Sequence, residues 1–428
     1  MPKGKRKGKS DHRNKFDGSS DEDSNNVNDA ASVITTLSNV SENSDFADEC
    51  ALERLEDKLC KIIDGLTDKS SKTRVESFTA LSKALVKKFV PTFVKDRLFT
   101  LSDAIERSLK RGGGLEKAAA AELTTQLCIQ LGLYDDCQDI SRNFTPILLT
   151  IANDKSVDPN VRAKVCRTLG NVAFLAGGEM ADVLLLMQQF ETIFGGSYLK
   201  GDGTVPNLGA EVANMHAAAL SSWTLLLTLL APSSLSHMMN ESKRLAGPDQ
   251  IADLLESGHL EVRMAAGEAL AVIFEMGRSD DEDFKEDFAR EIADTLKQLA
   301  TDSNKYRAKK DRKQQRASFR DILQFIEDNV VSNVTIKFGH EELTVDSWAK
   351  RKHYDELCRI LGPGINVHLT ENDLLRDIME IVGMPPDEES LAHLLGQEER
   401  KRKKIQNAAN FKARTILRGK NRDKRSDF

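Results

Sequence analysis

An arginine followed seven residues later by a leucine recurs three times in similar surroundings, and that recurrence constrains the fold more than any other feature. Arg74 precedes Leu81 in KTRVESFTALSKAL, Arg162 precedes Leu169 in NVRAKVCRTLGNV, and Arg263 precedes Leu270 in EVRMAAGEALAVI. Each copy follows a short polar turn: TDKSS, DKSVDP and ESGH. The copies stand 88 and 101 residues apart, close to two units each of the roughly 40–47-residue helical repeats that stack side by side. Intermediate units fit the gaps, with Ala120 to Leu127 in one and Ala213 to Leu220 in the other, both without the arginine.

A helix pair of this kind exposes an apolar face that only its neighbours can cover, so stacked pairs share one elongated core. The expected fold class is all-α: an armadillo/HEAT-like α-solenoid over residues 51–332, with Leu81, Leu169 and Leu270 in the core. An irregular helical bundle is the alternative. The Gly-rich stretch GGSYLKGDGTVPNLG (Gly195–Gly209) reads as a surface loop that lengthens the second spacing. After residue 331 the period changes. Val334, Ile336 and Phe338 alternate with Thr335 and Lys337, and Leu343 and Val345 follow a Gly-containing turn, which predicts a short β-hairpin. Helices are expected at about 348–361 and 371–382, with Gly362-Pro363-Gly364 as the breaker between them. Residues 333–396 then form a small C-terminal domain and 397–428 a basic tail.

The charge is unevenly placed. The 428 residues hold 61 Lys+Arg against 67 Asp+Glu, a net charge of −6. Residues 1–15 carry seven Lys/Arg and one Asp, and residues 16–49 carry nine acids and no Lys or Arg. With so little to bury, residues 1–50 are expected to be a disordered basic-then-acidic tail. Cysteines stand at 50, 60, 128, 137, 166 and 358, without C-x-x-C spacing or a neighbouring His pattern, which points to a reducing compartment and no metal. The most apolar run, about 217–231, is interrupted by Ser221, Ser222, Thr224 and Thr228 and falls short of the ~18–20 residues of a membrane span. The expectation is a soluble, cytoplasmic chain that the basic ends could also take to the nucleus, with no membrane partner.

Signatures of catalysis are missing. RGGGLEK (Arg111–Lys117) lacks the phosphate-loop spacing and reads as a turn between helices. Gly201-Asp202-Gly203 lacks the third glycine of a dinucleotide fingerprint, and position 344, where a zincin helix opened by His340-Glu341 needs its second His, is Thr. No G-x-S-x-G occurs and the eight His are scattered. The chain is therefore expected to be no enzyme, with no cofactor and no small-molecule substrate.

Two basic segments remain. Residues 301–320 carry eight Lys/Arg and two Asp, and Lys305, Lys309, Arg312 and Arg316 fall at i, i+4, i+7, i+11, one stripe of a helix. Phe319, Ile322, Leu323, Ile326 and Val330 form an apolar stripe further along, so one long helix is expected to dock by its C-terminal half and present cations by its N-terminal half. Such a surface suits phosphates, but the eight acids at 280–294 are an alternative partner for it. The tail is the second segment. Residues 400–428 hold twelve Lys/Arg and two Asp, net +10, which leaves residues 1–399 at −16. The candidate nucleic-acid contacts there are Arg400, Lys401, Arg402, Lys403, Lys404, Lys412, Arg414, Arg418, Lys420 and Arg422, with Phe411 available to stack on a base. The apolar stripe of Ile405, Ala409, Ala413 and Ile416 is thin, so the expected behaviour is coupled folding on a polyanion. RNA fits better than duplex DNA, because nothing resembles a groove-reading module. A nuclear-import signal or a solubilising tail is the alternative.

These residues resemble one family. KYRAKKDRKQQRASFRDI (305–322), LTDKSSKTRVESFTAL (66–81), LCIQLG (127–132), the opening MPKGKRKGK and IKFGHEELTVDSWAKRKHYDELCRILGPGINVHLTENDLLRDIMEI (336–381) are similar to segments of the interferon-related developmental regulators. The resemblance covers roughly residues 51–395; the central Gly-rich loop and the acidic stretch at 280–287 match less well. It implies a non-enzymatic regulator of proliferation and differentiation, with 336–381 as the family's own C-terminal domain. It further implies two roles: transcriptional co-regulation alongside deacetylase complexes, and binding to translationally silent ribosomes, with a C-terminal helix in the mRNA and tRNA path. The partners expected are therefore the ribosome and its rRNA, together with proteins held on the solenoid surface.

Overall fold

The computed structural model describes residues 45–381 apart from 133–135, 243, 302–308 and 340, and leaves aside the side chains of 45–53, 240 and 241. Helices alternate between two rows. The outer row holds α1 (Asp45–Gly65), α4 (Leu98–Arg111), α6 (Asp136–Asn153), α8 (Met180–Phe194) and α13 (Glu286–Thr301). The inner row holds α2 (Ser71–Lys87), α5 (Gly114–Leu131), α7 (Pro159–Ala176), α9 (Ala210–Leu227), α12 (Leu260–Arg278) and α14 (Lys309–Asp328). Short helices α3 (Pro91–Asp96), α10 (Pro232–Ser236) and α11 (Pro248–Asp253) fill the remaining outer positions. Each inner helix packs against the next, α2 on α5, α5 on α7, α7 on α9, α9 on α12 and α12 on α14, as a solenoid requires.

Inner helices are buried on nearly every side, so their sequences are rich in Ala, Leu and small polar residues rather than amphipathic. Leu81, Leu169 and Leu270 lie in one continuous core with Ala120, Leu127, Ala213 and Leu220 of the intermediate units. Hydroxyls join neighbours at close approach: Thr168 Oγ1 donates to the Ala121 carbonyl at 3.1 Å and Ser222 Oγ to the Cys166 carbonyl at 3.1 Å. Gly170 is required there, since a Cβ would come within 2.6 Å of Ser222 Cβ.

The recurring arginine closes each turn. Arg74 Nη1 donates to the carbonyls of Asp68 and Lys69 at 2.8 and 3.0 Å, Arg162 Nε to that of Ala152 at 2.8 Å, and Arg263 Nη1 to that of Ser257 at 2.5 Å. These are carbonyls of the turn or helix end before the inner helix, which no helical N–H satisfies. Arg74 also grips the buried Glu116 of α5 with two hydrogen bonds of 2.8 Å, and Arg263 Nη2 donates to Gln315 Oε1 of α14 at 2.8 Å.

The chain then turns back on the solenoid. The expected hairpin is β1 (Val334–Phe338) paired antiparallel with β2 (Glu341–Val345), Ile336 opposite Leu343. Helix α15 (Trp348–Leu361) crosses the inner row from its last members to its first. Glu275 of α12 accepts from the Trp348 and Ala349 amides at 2.7 and 2.8 Å, and Lys352 Nζ donates to Ser221 of α9 at 2.7 Å and to Glu268 at 3.2 Å. At the other end Gln126 Nε2 of α5 donates to the Ile360 carbonyl at 3.2 Å, and Gly364 sits against the Val86 carbonyl of α2. Trp348 to Gly364 spans about 24 Å of helical rise, whereas four flat inter-helix steps of 8–10 Å span about 32–40 Å. The inner row is therefore curved around α15.

The helix expected at 371–382 is the shorter α17 (Asp373–Ile378), and a short helix that was not expected, α16 (Ile365–Glu371), precedes it. Asn372 separates them: its Oδ1 accepts from the Leu374 amide at 3.0 Å while its Nδ2 donates to the Ile129 carbonyl of α5 at 3.0 Å. His368 Nε2 lies 3.1 Å from both the Leu85 and Val86 carbonyls, so that nitrogen carries the proton.

Two outcomes follow from these contacts. Burial works to raise the Glu116 carboxyl, but hydrogen bonds from Arg74, Ser71 and Ser108 outweigh it and hold the group below its ordinary value. A depressed carboxyl adds stability that is complete above its unfolded pKa and lost as pH falls through its folded one. Arg74→Ala should cost about 3 kcal/mol at neutral pH by stranding a buried carboxylate, and the gap to wild type should narrow on acidification, measured by urea unfolding at a series of pH values. A Cβ at position 364 would come 1.8 Å from the Val86 oxygen. Gly364→Ala should cost about 1–3 kcal/mol and speed amide exchange in α15–α17 before the rest of the chain.

Candidate nucleic-acid interface

The basic segment at 301–320 begins α14, and the packing of α14 decides which cations face outward. Gln315, Phe319, Ile322, Phe325 and Ile326 are buried against α12 and α13. Gln315 bridges Arg263 and the Leu299 carbonyl, the latter at 3.2 Å. Of the expected apolar stripe, Phe319, Ile322 and Ile326 dock as predicted, Leu323 is half-buried, and Val330 lies past the helix end, 46% exposed.

The cation stripe needs a correction. Lys309 is exposed, but Arg312 and Arg316 are half-buried, and Arg316 Nε donates to the Arg312 carbonyl at 3.3 Å. Lys305 lies outside the described residues. The exposed cations of α14 are Lys309, Lys310, Lys313 and Arg320, and Lys309, Lys313 and Arg320 line one outward stripe with the half-buried Arg316 at its edge. At about 100° per residue this set centres about 140° from the buried stripe, whereas the set through Arg312 centres only about 100° away, on the flank. The signal was present in the sequence: the outward face is set by Phe319 and Ile322, not by cation spacing alone.

The acids at 280–287 sit at the wrong end to neutralise this face. Phe284 packs on Gly277 and Phe274 near the end of α12, and Arg278 beside them donates to the Phe325 and Ile326 carbonyls at 3.1 and 2.8 Å, near the C-terminal end of α14. A helix of 20 residues is about 30 Å long, and charges a Debye length of about 8 Å apart are already largely screened. Glu286 and Asp287 pair within their own helix with Arg290, the latter at 3.2 Å. Lys309, Lys313 and Arg320 make no ion pair with a described residue, and Asp321 is taken by Arg351 of α15 at 3.2 Å.

Arg400, Lys401, Arg402, Lys403, Lys404, Phe411, Lys412, Arg414, Arg418, Lys420 and Arg422 lie outside the described residues. The described chain ends at Ile381, whose amide donates to the Arg376 carbonyl at 2.9 Å; Arg376 in turn forks onto Glu341 of β2 at 2.6 and 2.8 Å. The point of departure toward the tail is thus fixed to the body. Among the described residues no group of three or more His, Cys, Asp and Glu could hold a metal ion, and no helix is long and apolar enough to cross a membrane.

The profile of the family described as interferon-related developmental regulator matches residues 30–327, and that of the interferon-related protein conserved region matches 372–426. The chain belongs to the interferon-related developmental regulator family. Interferon-related developmental regulator 2 of Mus musculus is 37% identical over 376 residues, 88% of this chain and 84% of that protein. Interferon-related developmental regulator 1 of Homo sapiens is 36% identical over 380 residues, 89% of this chain and 83% of that one. An uncharacterized protein of Schizosaccharomyces pombe is 27% identical over 201 residues, 42% of this chain and 43% of its own length.

The conserved C-terminal region is placed differently from the expectation of 336–381. It starts at the cap of α17 and runs through all twelve cations of the 400–428 segment, leaving the hairpin and α15 outside both matches. The outward and inward faces of α14 make separable predictions. Lys309→Gln, Lys313→Gln and Arg320→Gln together should leave the melting temperature unchanged while reducing the log–log salt slope of RNA binding by about 2–3. Gln315→Ala, which removes a buried partner of Arg263, should instead cost about 1–3 kcal/mol in thermal or urea unfolding.

Proposed function

We propose that this regulator binds ribosomes through rRNA and restrains translation, with the basic segment Arg400–Arg425 occupying the mRNA and tRNA path. The observation that carries this reading is the coincidence of two boundaries: the family's conserved C-terminal region spans the one stretch of the chain with a net charge of +10. A segment so charged gains affinity for a phosphate-lined channel by releasing counterions, and by volume it excludes other strands from the same path. The outward face of α14 supplies a second cationic contact on the rigid body.

The alternative reading is a nuclear co-regulator that holds protein partners, including deacetylase complexes, on the solenoid. From α2 to α12 the inner row is lined by the protein's own α15–α17, so such partners would have to use the outer row or the open face of α14. No observation favours it over the RNA reading.

Co-sedimentation with ribosomes across a salt series tests the proposal. The full-length protein should pellet with ribosomes at low salt and leave them with a log–log slope near −3.5 to −4.5 if about five phosphates are neutralised. A chain ending at Gly396 should lose most of that binding and fail to inhibit translation in a cell-free extract. Equal sedimentation of the two chains would refute insertion of the basic segment, and absence of the full-length protein from the ribosome pellet would refute the reading as a whole.

A further inference from the structure

The outward face of α14 is a helix face of one sign that no described element covers. Lys309, Lys310, Lys313 and Arg320 are exposed, and the only acid among residues 309–320 is the half-buried Asp311. Asp321, the next acid along, is engaged by Arg351 at 3.2 Å. On the neighbouring α13, Lys297 meets Glu327 at 2.7 Å and has Asp294 close by, so those acids already hold a cation toward the C-terminal end of α14. Lys309 and Lys313 stand one turn apart and repel each other, a cost that an anionic cover would relieve.

A segment of the opposite sign precedes α1. Residues 16–49 hold nine acids and no Lys or Arg, and five of those acids fall in Asp17–Asp29, around the run Asp21-Glu22-Asp23. Residues 16–44 lie outside the described residues, and α1 begins at Asp45. The 24 residues from Asp21 to Asp45 can span about 80 Å. The hairpin of α1 and α2 brings the start of α1 beside the end of α2, where Val86 meets Gly364. From there α15 leads back to Arg351, which joins Asp321 of α14. That route is about 65 Å, at 1.5 Å of rise per helical residue and 8–10 Å between helices, and the straight line is shorter. The acids at 17–29 can therefore reach the α14 face with the body unchanged.

We propose that the acidic segment Asp17–Asp29 docks on the outward face of α14, on Lys309, Lys310, Lys313 and Arg320. Single ion pairs on an open surface contribute at most about 1 kcal/mol each, so a free acidic peptide would hold this face weakly. Attachment to the same chain raises the effective concentration to the order of millimolar, and several weak pairs then act together. A phosphate backbone offers the same charge to the same four cations, so the docked segment and RNA exclude each other. The docking stands on the charge and reach of this chain, and it rests on the proposed function only for the identity of the competitor.

The test is carbodiimide cross-linking of the full-length chain, which joins a carboxylate to a lysine only where the two touch, followed by mass spectrometry. Lys164 and Glu122, 2.7 Å apart, supply the internal standard. Acids of 17–29 should couple to Lys309, Lys310 and Lys313 within one chain. The yield should fall several-fold at about 0.5 M salt, where the Debye length is about 4 Å. Coupling to lysines of the 400–428 segment instead, coupling between isotopically distinct chains, or no coupling while Lys164 and Glu122 are joined would each overturn the proposal. A variant with Asp17→Asn, Asp21→Asn, Glu22→Gln, Asp23→Asn and Asp29→Asn should bind a short single-stranded RNA about fivefold more tightly, the factor for a face free about one-fifth of the time. That gain should vanish when Lys309→Gln, Lys313→Gln and Arg320→Gln are added, and its persistence there would also sink the idea. Intact cross-links with no change in RNA affinity would refute α14 as an RNA contact and leave the docking standing.

Discussion

The arginine that opens an inner helix is the contact on which the rest of this structure depends. Every turn between rows leaves carbonyl groups that helical geometry cannot satisfy, and burying them unpaired would cost about 1–3 kcal/mol each. A long guanidinium can reach those carbonyls from the first turn of the next helix and still have nitrogens left for a neighbour. Arg74 and Arg263 do both, pairing with Glu116 and Gln315 of the following inner helix. Lysine could not replace this, because the backward and forward bonds need several donors held in one plane. At Arg74 and Arg263 one residue thus both closes the turn and joins the next inner helix, whereas Arg162 closes its turn alone.

What was legible in the chain follows from that local logic. The three Arg-to-Leu copies and their polar turns are contained within about two turns of helix each, so they survive as a pattern in the sequence. The hairpin and α15 were legible for the same reason, their period and breakers being local. The return of α15–α17 across the inner row was not legible. It depends on contacts between residues more than two hundred positions apart, such as Gln126 to Ile360 and Asn372 to Ile129, made by single polar groups without a periodic signature. The boundary at Asn372 was legible, because an Asn before Asp-Leu-Leu is a local N-cap that starts α17 close to the expected 371; its second bond, to the Ile129 carbonyl, was not. The candidate site was half legible. Its charge could be counted, but the outward face of α14 is set by where Phe319 and Ile322 are buried, and that turned the stripe onto Lys313 and Arg320.

Charge in this protein is organised by position along helices more than by number. Acids at 280–287 and cations at 309–320 are close in sequence and are carried to opposite ends of the same helical layer by α13 and α14. The near-neutral total conceals this arrangement together with the larger imbalance between an acidic body and a basic C-terminal segment. Acids distributed over the body keep it from binding polyanions everywhere, which confines attraction to the faces where cations project.

A bare solenoid is a one-dimensional object in which each repeat contacts only its neighbours, and its ends fray independently. Here α15 and the turn at Gly362–Gly364 touch α12, α9, α5 and α2 in succession, so the first and last parts of the inner row share one partner. That bridge makes the stack cooperative across its length, because opening any inner helix disturbs the element that the others also hold. It has a consequence for the basic segment. Ile381 is fixed to β2 and α5 through Arg376 and Asn372, and the 19 residues from there to Arg400 can span at most about 65 Å. The cations at 400–425 are consequently tethered within a bounded radius of one point on a rigid body, which converts their binding to any surface the body already touches into an intramolecular event. For the proposed binding to rRNA, weak contacts by the solenoid and a charged but unselective segment would then act in combination, each raising the effective concentration of the other.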